Sequence, residues 1–400
     1  MIRFMPAFSR SSVAVLAIVC TGLASAQIWT SPKVVANGSA IAVSTNGTGA
    51  AAVLFGTLSA VVETGGAWGA PVVLSNLGPY GNGSGNVAAA PNGDVLAVWS
   101  YRTTNTYNPN TAQAAFFTAG HWGNPITISS NVYGNVSSFG VPSIGFDGSS
   151  RATLVWEEIT NPNPMTCALK AITGTAASGF GTAQTISNSG TYFGWSRIAV
   201  NQFGAAEVVE GVPGILSGAV VAIGRETSGI WDAPVTIGAS GVYRQRQPQV
   251  GLGNDGTAVA VWLINGNVRY AVNSHGVWSA AAALPGVAGT AGGAAGVAVD
   301  GNGNAVATFQ QVSIAPGTYA TYRPVGGSWQ TKVPLSSGVQ IVATPAGTFV
   351  AGGTTVSTRL AGSSTWSTTT FANPALVNAA PSQAIAVLGP QVSISTEAVP

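Results

Sequence analysis

Few side chains in this 400-residue sequence can do chemistry: 14 Lys and Arg, 12 Asp and Glu, two His and two Cys. Paired carboxylates cleave glycosidic bonds when they stand about 5 to 9.5 Å apart. Glu157 and Glu158 are adjacent, and neighbours in an extended chain point to opposite sides, so they make no such pair. Glu207 and Glu210 are spaced for one strand, and Glu210 stands where equivalent segments carry Trp. Arg102, Arg197, Arg244 and Arg246 hold a substrate carboxylate only if the fold gathers them. Asp300-Gly-Asn-Gly-Asn304 alternates oxygen ligands as a calcium loop does. Ala305 stands where that loop needs Gly, however, and Gln311 where it needs Glu. His121 and His275 fall in unrelated turns, which is no zinc site. Cys167 reads as a small buried apolar residue. No nucleophile elbow, phosphate loop or dinucleotide fingerprint occurs in a strand-then-helix setting. The sequence therefore predicts no catalytic residue, no metal and no cofactor.

The elements that position these residues follow from composition and repeats. Arg3 and Arg10, an apolar run over Val13–Val19 and Ala24-Ser25-Ala26 read as a secretory signal peptide cleaved after Ala26. Bulky Val19 before Cys20 is unsuited to lipidation. Of the 14 Lys and Arg, Arg3 and Arg10 leave with the leader, so 12 basic residues face 12 acidic ones. A neutral chain is not steered to nucleic acid. No later apolar run is long enough to span a bilayer. The expected location is secreted, extracellular or periplasmic. One cysteine remains, so no intrachain disulfide forms and a packed core must hold the fold.

Two signals recur. A Trp precedes Pro or a β-branched run at Trp29, Trp68, Trp122 and Trp231, with looser copies from Phe180, Trp278, Trp329 and Trp366. A Gly/Asn/Asp turn followed by an apolar run ending in a large residue, as in GNDGTAVAVW at 253–262, recurs near 41–54, 87–99, 144–156, 198–209, 250–262, 297–309, 341–351 and 376–388. Each unit reads as four short strands, here named a to d: 250–252, 257–262, 268–273 and 278–284 in the fifth. Four-stranded units at this spacing are propeller blades. The expectation is an all-β fold: one β-propeller over 27–400 after the leader at 1–26. It has eight blades, or seven if the short, Trp-poor last units do not each make one. The N-terminal segment Ile28–Val35 is a d-type strand and the last segment a c-type strand, so the first completes the final blade and closes the ring, leaving no open edge.

In such a ring the connections b–c and d–a emerge on one face, and the turns a–b and c–d on the other. The first set is long and loaded. It carries Tyr80, Arg102, Tyr107, Tyr133, Glu157 at the head of a loop over 157–166, Tyr192, Trp195, Arg197, Tyr243, Arg244 and Arg246, mostly on blades two to five. Loops on a rigid scaffold are where binding residues concentrate. Trp195 is the one Trp of eleven outside the two repeated positions; the other ten read as packing between blades.

The repeated hairpin with its terminal Trp resembles that of secreted bacterial β-propeller repeat proteins, sialidase-like or lectin-like. The resemblance implies the propeller fold and glycans as a ligand class. It carries no catalytic residue, because Asp255-Gly-Thr-Ala-Val-Ala-Val-Trp262 lacks the spacing of a sialidase Asp box. The expected function is non-catalytic binding of a carbohydrate or cell-surface polymer on the loaded face. The alternatives are a protein-interaction or structural propeller, and a glycosidase or lyase. A carboxylate pair flanking a pocket on that face favours the enzyme, a flat aromatic patch the protein partner.

Overall fold

A computed structural model describes residues 29, 31, 33–75, 84–102, 110–133, 141–163, 165–190, 195–212, 218–239, 248–287, 291–336, 338–353, 355–371, 375–380, 383–388 and 393–398. Strands and turns make up all the regular structure there, and no helix long and apolar enough to cross a membrane occurs among these residues.

Alternating apolar runs joined by tight turns fold into antiparallel meanders. In blade 5, strand a is Gln249–Leu252, b is Ala258–Ile264 and c is Asn267–Ser274. Strand d, expected as one run, is broken into Val277–Trp278 and Ala282–Ala283. The same break follows Trp68 and Trp122, where Pro71 and Pro125 bring no N–H to the ladder.

Eight such units form a ring. Strand a of each blade touches strand a of the next, from Ala40–Thr45 in blade 1 round to Ala375–Ala380 in blade 8, which touches blade 1 again. The two short C-terminal units each build a four-stranded sheet, so the count is eight and not seven. The eighth sheet is completed by the N-terminal strand Lys33–Val34, antiparallel to Ser393–Ala398, with Lys33 opposite Ile394 and Val34 opposite Ser393. Blades 2 and 3 join into one sheet through a single pair, Val132 with Glu158.

The core lies between blades. Trp99, Trp156 and Trp262, each the fifth residue of its strand b, are at most 2% exposed. The Trp262 indole also donates to the Ala239 carbonyl of blade 4 at 2.9 Å. Phe309 and Phe349 are fully buried in the strands b of blades 6 and 7.

The a–b turns explain the repeated Asn/Asp-Gly sequence. Asp147 Oδ1 accepts the N–H groups of Ser149 and Arg151, Asn201 Oδ1 those of Phe203 and Ala205, and Asp300 Oδ1 those of Asn302 and Asn304. Asp300 Oδ2 takes the Asn304 amide as well. The calcium-like sequence is a turn whose carboxylate serves its own backbone. Gly204, Gly256 and Gly303 hold φ near +85°, where a Cβ is strained. Turns of neighbouring blades are also tied to each other. Asn46 Nδ2 donates to Ala90 O, the Asn92 N–H to Ser150 Oγ, the Gly148 N–H to Gln202 O, Asn201 Nδ2 to Gly253 O and the Gly301 N–H to Pro345 O. Buried Asn201 thus serves three backbone groups, one of them across a blade interface. Asn201→Ala is expected to cost about 2–3 kcal/mol, read as a shift in the denaturation midpoint at unchanged slope.

Candidate functional site

The b–c and d–a face is described in part. Tyr80, Tyr107, Tyr192, Tyr243, Arg244 and Arg246 lie outside the described residues. Arg102 follows strand b of blade 2 (Val95–Tyr101), and Tyr133 follows its strand d (Ile126–Val132); both are half-buried. Trp195 and Arg197 open strand a of blade 4 (Ser196–Val200), also half-buried. The Trp195 carbonyl accepts the Gly211 N–H at 3.1 Å.

The structure brings Tyr133 to Glu157. The Tyr133 N–H donates to the Glu157 carbonyl at 2.9 Å, at the seam of blades 2 and 3. The stretch 157–166, expected as a loop, instead continues as a hairpin, Ala152–Pro162 with Met165–Thr175. Its β-branched residues sustain the ladder, and Thr160 and Thr166 share a hydroxyl hydrogen bond at 2.9 Å.

The adjacent glutamates diverge as an extended chain requires. Glu158 accepts the Ser129 hydroxyl at 2.7 Å and the Trp156 indole at 3.2 Å, and lies 3.8 Å from Lys170. Glu157 is buried and turns toward Cys167 on strand c. Glu210 of blade 4, fully buried, acts on the same thiol. Burial together with Glu157, Glu210 and Glu158 pushes the Cys167 thiol up to about 12, so this free, buried cysteine stays protonated and inert. Arg197 is held below the usual guanidinium value by burial. Arg225 lies at the other end of the blade from Glu210, opposite Ala206. It donates to Thr153 Oγ1 and Gly204 O at 2.9 Å each and stacks over Trp231.

The opposite face holds an axial cavity of about 650 Å³ that the sequence reading did not assign. All eight blades line it. Ile144, Phe146, Val200, Leu252 and Val299 form apolar walls beneath a rim that includes Asn46, Asn201 and Asn254. The rim amides are occupied by the turns just described. Among the described residues no three His, Cys, Asp or Glu side chains gather as a metal site.

No family model matches the chain, and no curated protein matches it. Solved structures resemble it at low identity. An ulvan lyase, a polysaccharide lyase bound to -[GlcA(1-4)Rha3S]-, is 10% identical with a TM-score of 0.47, covering 81% of this chain and 92% of that one. YCF48 bound to D1 peptide is 13% identical with a TM-score of 0.43, covering 91% and 94%. AofleA from Arthrobotrys oligospora is 13% identical with a TM-score of 0.42, covering 75% and 87%. At such identities and scores the fold is assigned from this chain's own sheet order and ring closure.

Proposed function

We propose that residues 1–26 export the chain, and that 27–400 form a single secreted propeller that binds a carbohydrate or cell-surface polymer without cleaving it. The ligand lies on the b–c and d–a face of blades two to five. The observation that supports this most is the asymmetry of the two faces. On one, short Asx turns bond to one another around the axis. On the other, the b–c turns of blades 3 and 5 are tight, but longer connections run between Tyr101 and Asn110, Val132 and Ser143, Val212 and Ala219, and Ala239 and Gln249, and Arg102, Tyr133, Trp195 and Arg197 stand at the described ends of this face's connections. Tyr and Trp offer a flat apolar face with a polar tip, and Arg adds directed donors, the mix that sugar rings need. Hydrolysis is the weaker reading. Glu157 and Glu210 both act on Cys167, yet they are 7% and 0% exposed, and an acid catalyst must touch the glycosidic oxygen.

The test is a glycan array probed with residues 27–400 and with Trp195→Ala. Binding lost in the variant, at an unchanged melting temperature, supports this face. Silence of the native chain across neutral and acidic glycans removes the carbohydrate reading.

A further inference from the structure

In a repeat protein, equivalent positions show what the scaffold needs, and departures that meet in space call for another explanation. Three departures meet in blade 4. Glu207 occupies the second position of its strand b (Ala206–Val212), where blades 1, 2, 5, 6 and 7 carry Ala52, Leu96, Val259, Val306 and Val350. Gly224, its cross-strand partner, stands where those blades carry Val62, Phe116, Val272, Tyr322 and Thr358. Asp232 follows the scaffold Trp231, where blades 1, 2 and 3 have Gly69, Gly123 and Gly181 and blades 5, 6 and 7 the uncharged Ser279, Gln330 and Ser367.

The substitutions fit each other. A Cβ on Gly224 would lie 2.4 Å from Asp232 Oδ2 and 3.5 Å from Glu207 Oε2, so Asp232 occupies space that a side chain at 224 would need, and Glu207 lies in contact with it. The result is a cavity of about 370 Å³ between blades 4 and 5, on the short-turn face. Glu207, Glu226, Asp232, His275 and Trp278 line it, and no Lys or Arg does. Glu207 is 4% exposed. Oε1 accepts the Trp278 indole at 3.0 Å, and Oε2 lies 3.5 Å from the Asn273 amide. Outside the lining, Ile230 and Val277 project into solvent, 66% and 72% exposed. These belong to the c–d turns that carry Glu226 on one side and His275 and Trp278 on the other.

We propose that this cavity docks a lysine side chain presented, between apolar residues, by a protein or peptide partner. The whole chain is close to neutral, so the acidic excess is local. An ammonium is a compact cation with three donors; Glu207 faces it from strand b, Asp232 from the segment after Trp231 and Glu226 from the c–d turn. The four-carbon stem lies against Trp278, and residues flanking the lysine cover Ile230 and Val277. The site is on the face opposite the proposed glycan surface, so Trp195→Ala leaves it intact.

The probe is acetyl-Leu-Lys-Leu-amide, titrated calorimetrically into residues 27–400. The lysine peptide is expected to bind at least about tenfold more tightly than its Gln and Arg counterparts and than cadaverine. Asp232→Asn and Val277→Ser, both on exposed side chains, should each weaken it by about fivefold at an unchanged melting temperature. Gly224→Val fills the cavity and should abolish binding; if that variant does not fold, the two exposed variants decide. Four results overturn the proposal: no binding of the lysine peptide at millimolar concentration, equal binding of the Gln or Arg peptide, cadaverine as good as the peptide, or indifference to both exposed variants.

Discussion

Deleting Gln27–Ala36 is expected to lower the melting temperature of the entire ring, not to fray one blade. The segment does two jobs. Lys33 and Val34 cover the strand Ser393–Ala398, which otherwise presents an open edge. Trp29, 8% exposed, packs among Val350, Val356, Val377, Ala384 and Ala386, edge-on to Phe371 at 5.9 Å. It therefore wedges blades 7 and 8 together. Loss of a buried Trp alone costs about 3–5 kcal/mol, and the exposed edge adds to it, which corresponds to a fall of roughly 5–10 °C for a chain of this length. Lys33 also matters electrostatically: burial raises Glu63 in blade 1, and the Lys33 charge opposes that rise. The discriminating probe is distant. In protein labelled with fluorotryptophan, the fluorine NMR signal assigned to Trp262, buried in blade 5, should be lost earlier in the deletion, in step with far-ultraviolet circular dichroism. An unchanged Trp262 transition beside an early dichroism loss would mean that the ring tolerates an open eighth blade. Trp29→Ala should reproduce the larger part of the effect.

The ring was legible because its signals are local and repeated. A turn that needs Gly or Asn, an apolar strand after it and a Trp at a fixed offset are all set by backbone sterics and burial, and eight copies reinforce one another. All eight predicted hairpin windows coincide with strands a and b. The break in strand d carries no common sequence mark: Pro71 and Pro125 fall in it in blades 1 and 2, but Ser279-Ala280-Ala281 interrupts the ladder of blade 5 without a proline. The hairpin at 157–166 is masked in the sequence because Glu157, Glu158, Asn161, Pro162, Asn163 and Pro164 outweigh Ile159, Thr160 and Thr166. The approach of Glu157 and Glu210 to Cys167 depends on how two blades pack, which no spacing encodes. The cavity at Glu207 left a signal that alignment of the repeats reveals: in one blade a carboxylate replaces an apolar residue, a glycine replaces a larger side chain, and an aspartate falls where the other blades carry uncharged residues. Reading the chain for what recurs concealed what does not. The axial cavity left no such mark, since its walls are the ordinary apolar residues of strand a and its rim is made of turn amides.

Raising the pH from 5 to 8.5 is expected to destabilise the native chain, and Glu207→Gln should remove most of that slope. Burial drives the Glu207 carboxyl up to about 8, the nearby Asp232 charge adds to the rise, and the Trp278 and Asn273 hydrogen bonds oppose it. The folded state therefore keeps the proton while the unfolded chain releases it near the ordinary value of 4.5. An acid raised in this way contributes its full stability below about 4.5 and loses it progressively as the pH climbs to about 8. At about 1.4 kcal/mol per pH unit the loss is bounded by about 5 kcal/mol, or a fall of up to roughly 5 °C. Glu63, also raised by burial, adds in the same direction. Gln at 207 can still accept the Trp278 indole but has no proton to lose, so its melting curve should be nearly flat over the interval. Parallel slopes for the two proteins would mean that Glu207 is already ionised in the fold. The lysine peptide links the two experiments. Its cation favours the ionised carboxyl, so saturating peptide should flatten the native slope as well, while the Gln peptide leaves it steep. Stability and recognition then rest on one carboxyl in the cavity that Gly224 leaves open.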